Sequence, residues 1–253
     1  YLIFGKSSGW AMDTSLSDSD ASFLGEDGGD CSGCSVTGAG DVNGDGYDDI
    51  LIGAYEDESG GLASGQTYLI FGKGSGWAMD TNLSDSDASF WGKGIGSVSG
   101  WSVASGGDVN GDEYDDILIG APGFGQSKGK TYLILGKASG WFMDMDVSTS
   151  DISFLGEDQW DSSGGSVAGA GDVNGDGYDD ILIGAYRNRN NNYRAGQSYL
   201  ILGKPSGWVM DTDLSASDAS FWGEDAYDWS GYSVAGGGDV NGDGYDDILI
   251  GAN

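Results

Sequence analysis

Four short acidic loops carry the side chains of this sequence that could bind a metal ion. The first is DVNGDGYDD at residues 41–49, and the loop returns at residues 108–116, 172–180 and 239–247. Its first, third, fifth and ninth residues are Asp, Asn, Asp and Asp, and the seventh, a Tyr, could add its main-chain carbonyl. Oxygens at alternate positions of a tight loop suit Ca²⁺, which takes about six to eight oxygen ligands. The candidate ligands are Asp41, Asn43, Asp45, Tyr47, Asp49, Asp108, Asn110, Asp112, Tyr114, Asp116, Asp172, Asn174, Asp176, Tyr178, Asp180, Asp239, Asn241, Asp243, Tyr245 and Asp247.

The sixth position distinguishes the second loop from the other three. Gly46, Gly177 and Gly244 stand there in three loops, where glycine permits a sharp bend with positive φ. The second loop has Glu113 instead. A non-glycine residue with this backbone costs about 1 kcal/mol or more. We therefore expect about four Ca²⁺ ions, one per loop, with the site containing Glu113 the weakest.

An EF-hand or a simple turn fits the surroundings of the loops less well than a calcium site between strands. An EF-hand has a bidentate Glu at the twelfth position, where this chain has Ile52 inside an apolar segment. Asp, Asn and Gly also favour ordinary turns. However, three carboxylates in each of four small loops would repel one another without a cation. The eighth-position acids Asp48, Asp115, Asp179 and Asp246 should point away from the ion, as solvated charges or as hydrogen-bond acceptors.

The loops are part of a repeat that fills the whole chain. They are 67, 64 and 67 residues apart, and YLIFGK or YLILGK, SGW and a Phe-containing segment recur at the same spacing. Residues 1–253 therefore form a single repeat domain of four units of about 64–67 residues, with starts near Gly33, Gly100, Gly164 and Gly231. Recurring tryptophans with this period should pack between units.

The sequence of each unit predicts four short strands. GCSVTGAGDVN reads as a first strand that enters the acidic loop, DDILIGA as a second, GQTYLIFGK as a third, and DASFLGE as a weaker fourth. Consecutive apolar residues in the second and third strands indicate burial on both faces. Nothing shows a helical period over ten residues. The pattern predicts an all-β fold, a β-propeller built of four four-stranded blades.

These residues resemble the FG-GAP repeats of integrin alpha-subunit propellers and of bacterial surface proteins. The matching features are the Gly-x-Ser-Val segment, the acidic loop and the Gly-Ala after the second strand, although only Gly120-Ala121-Pro122 is a complete GAP and Ser replaces the leading Phe of FG. The resemblance covers essentially the whole chain. It implies loops that bind calcium and an association with adhesion.

The chain starts at the third strand of a unit and stops after the second strand of another. The last blade should therefore be shared between N- and C-terminal strands. Three hypotheses follow: the ends pair within one chain in a four-bladed ring, they pair between neighbouring copies in a head-to-tail filament, or the chain is a window on a longer array.

Composition limits the partners and the location. The formal charge is -31, from 41 acidic against 10 basic residues, which predicts no nucleic-acid binding. No apolar run is long enough to predict membrane insertion. Four Ca²⁺ ions would bring the charge to -23. We expect an extracellular or cell-surface protein, in which Cys31 and Cys34 of CSGC form a local disulfide.

Catalysis is not expected. The chain has no His, which removes the usual proton carrier for a Ser or Cys nucleophile. The acid pair Asp18 and Asp20 lies in a repeating segment, and Asp18 is replaced by Thr149 and Ala216 in two other units. We expect no catalytic residue, no enzyme activity and no cofactor other than Ca²⁺.

The function predicted is structural, adhesive or assembly-related, with a protein or glycan partner at a surface and head-to-tail self-association. The alternative is a lectin-like propeller that binds glycans. Its candidate contact residues are aromatics outside the repeat: Trp160, Tyr227, Trp229 and Tyr232. A basic loop, RNRNNNYR at residues 187–194, is a further candidate contact.

Overall fold

Short strands separated by glycine-rich turns make up the regular structure of the chain. The computed structural model describes residues 1–150 and 152–253. Four single 3-10 turns lie at Leu16–Asp18, Leu83–Asp85, Val147–Thr149 and Leu214–Ala216, and a one-turn helical segment lies at Phe124–Ser127. The strands are β1 (Phe23–Leu24), β2 (Ser35–Gly40), β3 (Asp49–Ala54), β4 (Gln66–Ile70), β5 (Thr81–Asn82), β6 (Ala88–Trp91), β7 (Ser102–Gly107), β8 (Asp116–Ala121), β9 (Lys130–Ile134), β10 (Met145–Asp146), β11 (Ile152–Leu155), β12 (Ser166–Gly171), β13 (Asp180–Ala185), β14 (Gln197–Ile201), β15 (Thr212–Asp213), β16 (Ala219–Trp222), β17 (Ser233–Gly238) and β18 (Asp247–Gly251).

Three complete blades form the middle of the molecule. The first blade contains β2, β3, β4 and β6, the second β7, β8, β9 and β11, and the third β12, β13, β14 and β16, each antiparallel in chain order. In the first blade Leu51 lies opposite Leu69, and Leu69 lies opposite Ala88. The four strands predicted for a unit are therefore confirmed.

Two of the blades also receive a short fifth strand from the next unit. The two-residue strands β10 and β15 pair in parallel with β6 and β11, the last strands of the first and second blades. In the same way β5 pairs with β1. These strands were not predicted, because two residues are too few to show a period.

The blades stack face to face through their first strands. β2 packs against β7, β7 against β12, and β12 against β17. Leu51 and Leu69 of the first blade share one apolar core with Val103 and Ile117 of the second blade. β8 and β13 are buried along their whole length, as their unbroken apolar sequences predict. The arrangement is that of a β-propeller, and the predicted fold class is confirmed.

The remaining strands form two half-blades. The N-terminal half-blade, residues 1–24, has the third and fourth strands of a unit, joined by a bridge between Leu2 and Ala21. The C-terminal half-blade is the hairpin β17–β18, which has the first and second strands and pairs with no other described strand. The two half-blades are thus not paired with each other in this structure, and pairing between copies and a longer array both stay predictions.

The recurring tryptophans lie between units, as predicted. Trp141 packs edge-on against Phe90 of the preceding unit at a ring-centroid distance of 6.2 Å, and Trp208 packs in the same way against Phe154 at 6.4 Å. Each Trp Nε1 donates to the carbonyl of a Lys four residues earlier, as Trp141 does to Lys137 at 2.8 Å. The aromatic pair therefore joins the end of one blade to the start of the next.

Two further features of the chain bear on its environment. Cys31 and Cys34 are free thiols, so the predicted disulfide is wrong, and the N–H of Cys34 instead donates to the carbonyl of Cys31 in a tight turn. None of the helical segments among the described residues has the length and apolar character needed to cross a membrane.

Candidate calcium sites

The side chain of the first Asp in each loop accepts hydrogen bonds from main-chain N–H groups of the same loop. Asp41 Oδ1 accepts the N–H groups of Gly44 and Asp45 at 2.8 and 3.0 Å, and its Oδ2 accepts the N–H of Gly46 at 2.8 Å. Asp108, Asp172 and Asp239 accept the corresponding three N–H groups in their own loops. The carboxylate at position one is therefore held at the centre of the turn in all four units.

The ninth residue of the loop supplies a carboxylate that is buried in three of the four units. Asp49 begins β3 and is almost fully buried. Its Oδ2 accepts the N–H of Val42 at 3.1 Å, and its Oδ1 accepts the N–H of Gly72, just after the third strand, at 2.8 Å. Asp116 and Asp180 have the same two kinds of donor. The loop and the third strand thus fix this carboxylate together.

The three buried ninth-position carboxylates have raised pKa values. The pKa of Asp49 is raised to about 6, chiefly by burial and in part by the carboxylates of Asp45 and Asp41, while the two N–H donors act in the opposite direction. The same causes raise the pKa of Asp116 to about 7 and that of Asp180 to about 6. The acids at positions one, five and nine therefore repel one another, and a bound cation would relieve that repulsion.

The donor set of the loops fits a hard cation. Within residues 1–150 and 152–253, no group of three acidic or thiol side chains is arranged to hold a metal ion by itself, so an ion in a loop would also need amide and main-chain oxygens. Asn110 Oδ1, at position three of the second loop, is buried without a hydrogen-bond partner. The ion pairs of the described residues involve Lys93, Lys128 and Lys130, and none reaches a loop. Oxygen ligands without a basic neighbour suit Ca²⁺.

The bend at position six has the backbone that the sequence predicted. Gly46, Gly177 and Gly244 have φ values of 88°, 90° and 92°, and Glu113 has φ of 72°. The N–H of Glu113 donates to Asp108 Oδ2 at 2.9 Å, so its loop is closed like the others. The second loop therefore keeps the shape of the site at the cost of a strained non-glycine residue.

The fourth loop is less complete than the other three. Asp247 Oδ2 accepts the N–H of Val240 at 2.9 Å. In the other three loops the ninth-position acid also accepts the N–H of a glycine that follows the third strand: Gly72, Gly136 or Gly203. Asp247 accepts no such N–H from a described residue, because β17–β18 pairs with no third strand in this structure. Asp239 is exposed, and hydrogen bonds from the N–H of Gly244 and its neighbours hold its pKa below the usual value. The ninth-position acid thus has both of its N–H donors in three loops and one of them in the fourth.

The eighth-position acids join one blade to the preceding one. Asp115 Oδ2 accepts the N–H of Asp41 at 2.8 Å, and Asp179 Oδ2 accepts the N–H of Asp108 at 2.9 Å. Asp246 does the same for Asp172 at 3.0 Å. These side chains do act as hydrogen-bond acceptors, but their partners lie in another unit. We call this contact the Asp latch.

Several aromatics outside the repeat gather beside the basic loop at residues 187–194. The rings of Tyr186, Trp229 and Tyr232 lie within 5.4 to 6.3 Å of one another, centroid to centroid. Tyr193 packs against Tyr227 at 5.3 Å, and Arg189 lies over the Tyr193 ring. Trp160 is also exposed, but no described aromatic ring packs against it. Three of the four aromatic residues singled out in the sequence thus belong to this surface.

Comparison with known proteins agrees with the repeats. The FG-GAP repeat family matches residues 35–70, 99–134, 163–201 and 230–253. Integrin alpha pat-2 of Caenorhabditis briggsae is 34% identical over 234 residues, which cover 86% of this chain and 17% of that protein. Integrin alpha-5 of Xenopus laevis is 33% identical over 172 residues, 64% of this chain and 15% of that protein.

Integrin alpha-V of Gallus gallus is 29% identical over 222 residues, 84% of this chain and 19% of that protein. The chain thus spans less than a fifth of the length of each of these relatives. The matched segments hold the first three strands and the acidic loop in three units, and the hairpin with its loop in the fourth. The chain belongs to the FG-GAP repeat family of integrin alpha-like β-propellers.

Proposed function

We propose that this chain is a non-catalytic, calcium-binding repeat protein with a structural, adhesive or assembly role outside the cell or at its surface. The observation that carries the proposal is the repeated acidic loop. In three units it brings a buried carboxylate towards two others of the same loop with no basic group beside them. The similarity to integrin alpha chains supports the adhesive role and the location.

Calcium would act on the fold rather than on a reaction. The ion supplies positive charge to loops whose carboxylates repel one another. Asp49, Asp116 and Asp180 each hold the loop against the third strand of the same blade, so an ion bound there would tie loop and blade together. An ion that binds only the native state stabilises it by about 2.7 kcal/mol per site at a concentration 100 times its Kd.

Thermal unfolding with and without calcium tests the proposal. We expect EDTA to lower the Tm, and added Ca²⁺, but not Mg²⁺ at equal ionic strength, to restore it. Mg²⁺ demands a smaller octahedral site and releases water reluctantly. An EDTA-insensitive Tm at low ionic strength would contradict calcium binding.

A matched pair of variants assigns the ion to the loops. Asp45→Asn should lower the number of Ca²⁺ ions bound per chain by one in isothermal titration calorimetry. Asp85→Asn is the control, because it makes the same charge change on an exposed 3-10 turn whose equivalent is Thr149 in another unit. If both variants lost binding to the same degree, a general charge effect would explain the result.

The aromatic surface of the third blade favours glycan binding as a second candidate function. Tyr227 and Tyr232 are exposed, and Tyr227 packs against Tyr193, over whose ring two arginines lie. Exposed aromatic faces are what sugar rings stack on. We expect Tyr232→Ala to abolish any signal on a glycan array measured with calcium present, while Tyr1→Ala, a change of the same type at the other end of the chain, keeps it. If the unchanged protein gave no signal on the array, glycan binding would be rejected and the structural and adhesive role would be the one proposal left.

A further inference from the structure

The basic loop at residues 187–194 connects β13 and β14 of the third blade. It contains all three arginines of the chain: Arg187, Arg189 and Arg194. At the same place in the first blade stand Glu56, Asp57 and Glu58. A blade of this kind therefore folds with either charge in this connection, and the arginines indicate a role other than folding.

The three arginines have no acidic partner among the described residues. Every lysine of the chain lies over a tryptophan ring or forms an ion pair with an Asp. No described carboxylate forms such a pair with a guanidinium, although the chain has 41 acidic residues. Burial raises the pKa of Asp161 to about 6, and Arg189 opposes that rise without reaching ion-pair distance. The charge of the loop is therefore available to an anion from outside the chain.

Tyrosine rings hold the guanidinium groups in place. Arg189 Cζ lies 5.0 Å from the centroid of the Tyr193 ring, and Arg194 Cζ lies 5.6 Å from the same centroid. Arg187 Cζ lies 5.1 Å from the centroid of the Tyr186 ring. Such contacts stabilise a cation but do not neutralise it. Two like charges over one ring repel each other, and an anion that bonds to both would relieve that repulsion.

Asparagine side chains fix the base of the loop from both sides. Asn188 is 2% exposed, and its Nδ2 donates to Asp161 Oδ2 and to Tyr199 Oη, both at 3.1 Å. Asn191 Nδ2 donates to the carbonyl of Gly223 at 3.2 Å. The loop is thus tied to the segment before β12 and to the segment before β17. A loop that is already ordered loses less conformational freedom when a ligand binds.

Two aromatic residues flank the loop in a strained backbone. Trp160 and Tyr227 stand at the same unit position, one before β12 and one before β17, with φ values of 75° and 69°. The other two units have Gly29 and Gly96 there. Left-handed backbone is unfavourable for any residue with a side chain, and glycine would serve the fold better. The aromatic side chains therefore indicate a contact outside the chain.

Trp160 lies directly beside the basic loop. The carbonyl of the next residue, Asp161, accepts the N–H of Arg187 at 3.2 Å. Trp160 is 52% exposed, and no described aromatic ring packs against it. The loop thus places an exposed indole next to cations that lack an anion.

These groups match the parts of an acidic sugar. A sugar ring stacks on an exposed aromatic face. A carboxylate or a sulfate accepts two parallel N–H groups from one arginine. Asn192, exposed at the tip of the loop, offers an amide that both donates to and accepts from hydroxyl groups.

We propose that the basic loop and Trp160 bind an acidic saccharide, a sugar ring that carries a carboxylate or a sulfate. The arginines bind the anionic group, Trp160 stacks on the ring, and Asn192 bonds to a hydroxyl. This inference rests on glycan binding as the second candidate function, because it names the class of glycan. It extends that surface across the loop, from the tyrosines to Trp160.

The rest of the protein favours a ligand with few charges. The formal charge is -31, and Glu157 of the segment before β12 bonds to Asn190 of the loop. A long polyanion would be repelled wherever it left the arginines. An acidic peptide side chain would use the arginines alone, whereas an acidic sugar uses the arginines and the indole together.

A glycan array with calcium present tests the proposal. It contains short oligosaccharides in matched sets that end in a hexose, in the corresponding uronic acid or in the 6-sulfated hexose, and spots of a hexaglutamate peptide. We expect the unchanged protein to bind an acidic member at least about tenfold more strongly than its neutral partner, as a hydrogen bond to a charged group allows. Comparison of the uronic acid with the sulfate shows which anionic group is bound.

The other outcomes of the array each reject a different statement. Equal signals from acidic and neutral sugars would overturn the acidic class and keep glycan binding. A signal from the peptide without one from the sugars would overturn the saccharide in favour of an acidic peptide. No signal from any spot would reject glycan binding itself, and this inference with it.

A matched pair of charge variants assigns the anionic group to the loop. Arg189→Gln should lower the signal from acidic sugars at least about tenfold and leave any signal from neutral sugars unchanged. Lys93→Gln is the control, because it removes the same charge from a side chain that is 64% exposed between β6 and β7. Equal losses in the two variants would show a general effect of charge and would overturn the role of the loop.

Replacing Trp160 by glycine tests the ring contact. Glycine is the residue of two other units at this position, so Trp160→Gly should fold and keep at least the Tm of the unchanged chain. It should lower the signal from acidic and neutral sugars alike, by at least about tenfold. A full signal from folded Trp160→Gly would overturn stacking on the indole.

Discussion

At the scale of single residues, the acidic loop combines two tasks. Its carboxylates are candidate ligands for an ion, and the same atoms are acceptors that close the turn, as Asp41 does with three N–H groups. Because the ninth acid is also bonded to the third strand, a change in the loop affects the blade. Glu113 is the residue where these two tasks conflict, since it has a left-handed backbone without being glycine.

Replacing Glu113 by glycine should relieve that conflict. We expect Glu113→Gly to raise the stability by about 1 kcal/mol and to tighten calcium binding at the second loop, because the strain of φ at 72° is removed. Thermal unfolding and isothermal titration calorimetry measure the two effects. Gly177→Glu is the matched control and should lower both by a similar amount, since a Cβ at Gly177 meets no atom within 4 Å and only the backbone is strained.

Unchanged or weaker calcium affinity in Glu113→Gly would mean that backbone strain does not weaken the second site. The Glu113 side chain would then have to contribute to binding, and Gly177→Glu would be expected to strengthen the third site instead.

At the scale of elements, the Asp latch explains how rigid blades keep a fixed spacing. A Cβ on Gly107 would lie 2.1 Å from Asp179 Oδ2, so only glycine lets the carboxylate of the next blade reach the loop. Gly111 is similar, because a Cβ there would lie 2.6 Å from Tyr178 Cε1. Glycines that look like simple turn residues in the sequence are therefore contact surfaces between blades.

Removing one Asp latch should weaken the contact between two neighbouring blades and so lower the stability of the protein. We expect Asp179→Ala to lower the free energy of unfolding by about 1.5 kcal/mol, the loss typical of a hydrogen bond to a charged group. Asp48→Ala is the control, because its carboxylate is exposed and accepts no hydrogen bond from a described residue. Chemical denaturation at a concentration where the protein is monomeric measures both, and equal losses would contradict the latch.

The elements also show what the sequence could and could not predict. The repeat spacing was sufficient to predict the four strands of a unit, the acidic loops and the left-handed bend at Glu113. The latch was missed because Asp179 and its partner Asp108 are 71 residues apart, and a single loop does not reveal a contact with another unit. The aromatic surface was found only in part, since Tyr186 and Tyr193 looked like ordinary loop residues.

At the scale of the whole molecule, charge should govern the stability of the calcium-free protein. A formal charge of -31 on 253 residues makes the folded chain repel itself, and salt screens such repulsion over about 8 Å at physiological ionic strength. The interior loops add three buried carboxylates that no described cation balances. Calcium-free protein should therefore be more sensitive to ionic strength than calcium-bound protein.

The Tm measured in EDTA should rise as NaCl is added, and the rise should be smaller when calcium is saturating. Binding of four Ca²⁺ ions would reduce the net charge from -31 to -23 and place the added charge where the acids are closest. Differential scanning calorimetry at matched pH measures both series. Equal salt dependence with and without calcium would show that the loops contribute little to the repulsion.

The Asp latch also has a consequence for how the repeats can diverge. A Cβ on Gly40 would lie 2.1 Å from Asp115 Oδ2, and a Cβ on Gly107 would lie 2.1 Å from Asp179 Oδ2. The glycine of one unit and the acid of the next are therefore a coupled pair of positions. A unit that gains a side chain at the glycine can keep its place in the stack only if its neighbour loses the carboxylate, so these two positions should change together when repeats of this kind diverge.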